Sequence, residues 1–150
     1  MDDIMTAVRR LMLSVNSLDG IYYLCARKLG INENTLALLY ALSDGNPHSQ
    51  TQVCQEWLIP KTTINTIVRE LTDAGYMTLE AEPHSREKRI RLTPAGTVYA
   101  ERILREIFSS ERQAMEETLA SFSPDTIEAL DFFSKRLCTL LHTHILDRKD

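Results

Sequence analysis

Thr62, Asn65, Thr66 and Arg69 share the segment Ile59–Met77 with Ile64, Ile67, Val68 and Leu71, and the two sets interleave at helical spacing. At 100° per residue the apolar set forms one stripe, while Thr62, Thr66 and Arg69 fall opposite it with Asn65 at the edge. A solvated face usually carries Glu and Lys, whereas threonine is a poor helix former whose presence asks for a reason. Major-groove reading is such a reason. Asparagine pairs with an adenine edge, and threonine donates, accepts or touches a thymine methyl. Lys61 and Arg69 flank the face and can hold phosphates on either side.

A second cationic cluster follows. Arg86, Lys88, Arg89 and Arg91 put four positive charges into six residues, with Glu87 as the opposing charge. Strand alternation sends Arg89 and Arg91 to one side and Ile90 and Leu92 to the other, so the tip can enter a minor groove or grip phosphates.

Other chemistry finds little support. Nucleophilic or acid–base catalysis needs a nucleophile, base or metal set at workable spacing, and none stands out. His142 and His144 are two residues apart, about 200° around a helix, and share a metal poorly. Cys25, Cys54 and Cys138 are widely spaced with no CxxC, which points to reduced core thiols. We therefore expect no catalytic residues, no metal and no cofactor.

The elements that must position these residues are legible from periodicity and punctuation. Ile4, Val8, Leu11, Val15, Leu18, Tyr22, Cys25 and Leu29 alternate by four and three, a long seam capped by Asp2 or Asp3, closed by Gly30 and interrupted by Gly20. Asn32 caps a helix that stops at Gly45-Asn46-Pro47. Ser49 and Gln52 form a capping box for a short helix ending near Trp57, and Pro60 opens the next, which ends at Gly75. Two short helices joined by a tight turn make a helix-turn-helix. The period then drops to two: residues 76–80 and 89–93 read as strands around a polar turn, a hairpin wing. Thr93-Pro94 opens a long helix and Ser123-Pro124 another, with Ile127, Leu130, Phe133, Leu137, Leu140 and His144 along its seam.

The expected fold class is thus mainly α with a small β-hairpin wing, an α+β winged helix-turn-helix. Residues 31–93 form the reading lobe, and 1–30 with 94–150 form a helical dimerisation region. The terminal helices carry more apolar stripe than a small lobe can cover, which calls for a second copy and hence a homodimer. At 150 residues the chain can bury a core without staples. Its net charge of −4 means that DNA affinity must come from local geometry. No apolar run approaches a bilayer span, and the acidic start Met1-Asp2-Asp3 is unlike a secretory signal, so the expected location is cytoplasmic, with no membrane partner.

With "PKTTINTIVRELTDAGYM", a wing ending in "RIRLTPAG" and long flanking helices, the sequence resembles the MarR family of winged helix-turn-helix regulators over nearly its whole length. Leu71, Gly75, Leu92, Thr93 and Gly96 stand where that pattern wants them. The resemblance implies a dimer whose first and last helices intertwine, two lobes on a palindromic operator, and a small-molecule effector pocket near the dimer interface. It implies Arg86 as the wing-tip arginine. His84 stands where the family usually has an acid, and Pro60 where it usually has serine or threonine. The redox role of a family cysteine near the start of the first helix does not carry over to Cys25.

The expectation is a sequence-specific DNA-binding repressor, a homodimer released by a small molecule. Its DNA contacts are Ser49, Gln50, Lys61, Thr62, Asn65, Thr66, Arg69, Arg86 and Lys88. Tyr22, Tyr23 and His48 are the candidate effector contacts. The rival is a winged-helix module that binds protein instead of DNA.

Overall fold

The computed structural model describes residues 2–148 and divides between Arg105 and Glu106 into two compact units. The first opens with α1 (Asp3–Leu29), whose N-terminus is capped by the Asp2 carboxylate accepting from the Met5 N–H at 2.7 Å. The helix runs through Gly20 and ends at Gly30, in the left-handed conformation at φ +77°. Helix α2 (Glu33–Leu42) is capped by Asn32 as the sequence requires, its Oδ1 accepting from the Thr35 N–H at 2.8 Å. Strand β1 (His48–Ser49) leads into α3 (Gln50–Glu56), and α4 (Lys61–Asp73) follows. Pro60 sits one residue before the first α4 residue, at the cap, where its missing N–H costs nothing.

Three helix ends in this unit close in one way. The N–H of Ile31 donates to the Ala26 carbonyl, that of Ile59 to Cys54 and that of Tyr76 to Leu71, each spanning a left-handed residue. Glycine fills that place at Gly30 and Gly75; at the turn of the helix-turn-helix it is Leu58, at φ 50°.

Strands β2 (Met77–Ala81) and β3 (Lys88–Leu92) pair antiparallel, Met77 opposite Leu92 and Leu79 opposite Ile90. They are offset by one residue from the expected spans 76–80 and 89–93. The reason is local: the Tyr76 N–H closes α4, and Thr93 belongs to the next helix. The sheet also has a third strand absent from the expected hairpin. His48 pairs with Ile90 and Ser49 with Arg89, giving the order β1-β3-β2.

The unit's core joins Leu38, Leu39 and Leu42 of α2 to Ile64, Met77 and Ile90, each 2 % exposed or less. Each such side chain contributes roughly 1.5–3 kcal/mol relative to exposure. Thr93 locks the wing to α5 (Pro94–Ser121): its hydroxyl donates to the Gly75 carbonyl at 2.7 Å and accepts from the Gly96 N–H at 3.0 Å. A Cβ on Gly96 would lie 1.8 Å from the Tyr76 carbonyl oxygen, so only glycine fits there.

The second unit holds the rest of α5, then α6 (Asp125–Leu141) and a π-helical turn, His142–Leu146, that continues its axis past the last α-helical residue. No residue of α6 is buried. All three cysteines are free; Cys25 and Cys54 are half-buried, and Cys138, expected in a core, is exposed on α6. Among the described residues no helix is long and apolar enough to cross a membrane.

Candidate nucleic-acid interface

Helix α4 turns Ile64, Ile67, Val68 and Leu71 into the core and leaves Thr62, Asn65, Thr66 and Arg69 exposed, the partition its spacing dictates. The exposed groups are not equally available. The Thr66 hydroxyl donates to the Thr62 carbonyl one turn back at 3.1 Å, so its lone pairs are what remains for a ligand. Asn65 Oδ1 accepts from Gln50 Nε2, which ties the first residue of α3 to the middle of α4. This bond uses one donor of Gln50 and the acceptor of Asn65, so the Asn65 NH₂ and the Gln50 oxygen are the amide groups left for a ligand.

Gln50, Lys61, Asn65, Arg86 and Lys88 line one cleft of about 460 Å³ between α3, α4 and the wing. Five of the nine candidate DNA contacts, drawn from three elements, thereby share one concave surface. Thr62, Thr66 and Arg69 continue along the exposed face of α4 beyond it. Cys54 also lines this cleft, where burial pushes its thiol up from the ordinary cysteine range.

Ser49 takes a different part. Its hydroxyl oxygen caps α3 by accepting from the Gln52 N–H at 3.4 Å, and its proton goes to Glu87 Oε2 at 3.0 Å. Hydrogen bonds from Thr51 and Ser49 hold the Glu87 carboxyl below its usual range. Glu87, which the sequence offers only as a counter-charge, is therefore a strut between the wing turn and the start of α3, flanked in sequence by Arg86 and Lys88. The signal was its position beside a cation pair, but its partner lies 38 residues away.

The wing carries less free positive charge than its composition suggests. Arg89 pairs with Glu82 at 3.0 Å and Arg91 with Glu80 at 3.4 Å, both contacts set by the β2–β3 register. Among the described residues, Arg86 and Lys88 have no ion-pair partner, and they are the two that line the cleft. His84 sits in the wing turn at φ 65°, a left-handed position that histidine tolerates better than most residues.

A second concavity of about 610 Å³ lies between α1, α2 and the α3–α4 turn, and Tyr22 and Tyr23 are among the residues that line it. Tyr40 and Trp57 join them, ring centroids 5.2 Å apart and tilted by 51°. His48 does not line it; its Nε2 lies 2.9 Å from Asp44 Oδ1, beside β1.

A family model described as the MarR family matches residues 29–87, from the end of α1 to the wing. Among solved structures, the chain resembles NMB1585, a MarR family regulator from Neisseria meningitidis, at 19% identity and TM-score 0.73, covering 95% of this chain and 99% of that one. It also resembles NadR in complex with 4-hydroxyphenylacetate, at 17% identity and TM-score 0.67 over 85% and 88% of the two chains. Overoxidized AbfR bound to DNA is a third, at 17% identity and TM-score 0.60 over 93% and 97%. These likenesses establish the winged-helix fold. No curated protein sequence matches the chain.

Proposed function

Because a model of the MarR family matches residues 29–87 of a winged-helix fold, we propose that this chain is a transcriptional regulator that binds duplex DNA. It acts as a homodimer on a palindromic operator, as a repressor, and a small molecule releases it. The observation that carries this reading is the convergence of Gln50, Lys61, Asn65, Arg86 and Lys88 on one cleft. Amides that read base edges stand beside cations that hold phosphates, and the exposed Thr62, Thr66 and Arg69 extend the same surface along α4. AbfR is seen bound to DNA, which fits the same use of the fold.

Dimerisation through residues 1–30 and 94–150 accounts for the uncovered apolar residues of α1 and α6, and it would set two lobes at the spacing of one DNA turn, about 34 Å. An effector in the groove at Tyr22 and Tyr23 would act by preferring one lobe spacing over the other. NadR is seen with 4-hydroxyphenylacetate, a precedent for ligand binding in this fold.

Selection from random duplexes at low salt tests the reading. It should enrich an inverted repeat, and affinity for that repeat should fall with salt with a slope near −0.9 per phosphate contacted. Arg69→Ala should cost about 1–3 kcal/mol if the guanidinium reads a base. No enriched repeat would transfer the lobe to protein binding, which the net charge of −4 and the neutralised Arg89 and Arg91 would then explain.

A further inference from the structure

The groove between α1 and α2 is unusual in its charge. Two carboxylates, Asp19 and Glu33, line it together with Tyr22, Tyr23, Tyr40 and Trp57, and no lysine, arginine or histidine lines it. Neither carboxylate has an ion-pair partner among the described residues. Glu33 stands in the first turn of α2, whose N-terminus contributes about half a positive charge. One full carboxylate charge there, with a second from Asp19, leaves the groove negative on balance.

The aromatic walls add to this. Ring faces are the negative part of the aromatic quadrupole, and a cation over them is favoured more as water leaves. The nearby cation Arg27, whose guanidinium lies over the Tyr23 ring 5.8 Å from its centroid, is not among the groups that line the groove. An anion entering the same groove would meet two like charges, four electron-rich rings and no cationic lining group to pair with.

We infer that this groove takes a cation, a small organic ammonium with an aromatic or alkyl body. The inference rests on reading the groove as the effector site, and it names the ligand's charge, which the fold does not fix. The cationic head sits between Asp19 and Glu33, and the apolar body lies against Tyr22, Tyr23 and the tilted Tyr40–Trp57 pair.

Trp57 is the one tryptophan of the sequence and lines the groove, so its fluorescence reports occupancy directly. Phenyltrimethylammonium, benzyl alcohol and benzoate serve as cationic, neutral and anionic probes of similar size, titrated into the full-length protein. The expected order is the cation about tenfold tighter than the alcohol, with benzoate weakest. Asp19→Asn and Glu33→Gln should each weaken the cation several-fold and leave the alcohol unchanged. Tighter binding of benzoate, indifference of the cation to both substitutions, or no response to the cation through the millimolar range would overturn the assignment. Operator release is measured separately. A cation that binds at Trp57 without releasing DNA upholds the ligand class and defeats the regulatory reading. Release by benzoate, but not by the cation, does the reverse.

Discussion

Helices α2 and α6 carry apolar residues at the same three-and-four spacing, yet five of the ten residues of α2 are buried and none of α6. The difference does not lie in the pattern but in what the fold supplies to cover it. Helix α2 packs against α1 and α4, whereas Ile127, Leu130 and Phe132 on α6 remain 44, 46 and 71 % exposed. Helix α1 resembles α6, with Ala26 its one buried residue. The winged lobe is thus complete within one chain. The terminal helices hold apolar surface in amounts that isolated monomers seldom leave in water.

Paired truncations break the comparison most sharply. Leu38→Ala empties a fully buried site in α2 and should cost about 2–5 kcal/mol, lowering Tm equally at every protein concentration. Leu130→Asp on α6 should instead shift the molecule toward monomer in sedimentation, and remove the rise of Tm with concentration that a dimer shows. A wild-type chain whose mass and Tm do not respond to concentration would mean that α6 is not covered by a second copy.

Gly96→Ala sharpens the lobe's side of the contrast. The added Cβ would meet the Tyr76 backbone oxygen at 1.8 Å, and neither β2 nor α5 can retreat without breaking the Thr93 junction. The expected loss is about 3 kcal/mol, at the upper end of overpacking costs. A thermal melt within a degree of wild type would show that the junction is looser than it looks.

Much of this architecture was legible in the chain. Asn32, Ser49, Pro60, Gly30 and Gly75 mark helix ends by local chemistry, and each lies within a residue of its expected place. The exposed face of α4 followed from its period alone. What escaped was non-local. Strand β1 is two residues long and exists because His48 finds Ile90. The pairing of Arg89 and Arg91 with Glu82 and Glu80 depends on strand register, and the Glu87 strut on a partner far away in sequence. The Gln50 to Asn65 bond likewise needs two helices docked first. Leu58 escaped for another reason: a left-handed helix end is normally announced by glycine, and here leucine holds it.

That exception gives a smaller prediction. Leu58 is 87 % exposed at φ 50°, so it buries almost nothing in return for its backbone strain. Leu58→Gly relieves left-handed strain while giving the unfolded chain more freedom, for a net gain below about 1 kcal/mol in Tm or denaturant measurements. Gly75→Leu, at φ +80°, makes the opposite change at the end of α4 and should destabilise. Equal effects of the two would show that the turn is not under strain.

The smallest effect lies at the edge of the lobe, where acid rather than truncation is the probe. The Asp44 carboxyl is held at about 2, below its ordinary 3.8, first by the His48 ring and then by the Asn46 backbone and side chain. A carboxylate with a depressed folded value stabilises above its unfolded value and loses that contribution as pH falls through the folded one. The Asp44 contribution is therefore present at neutral pH, declines below about pH 4 and is gone near pH 2. Asp44→Asn should lower stability slightly at pH 7, and the gap from wild type should narrow as pH drops through that window. Glu87→Gln should behave alike, since its carboxyl is also held low, by Thr51 and Ser49. Because both groups are exposed, the shifts in Tm should be small. A gap between Asp44→Asn and wild type that stays constant from pH 7 to pH 3 would mean that the carboxylate charge does not help to hold β1 in the sheet.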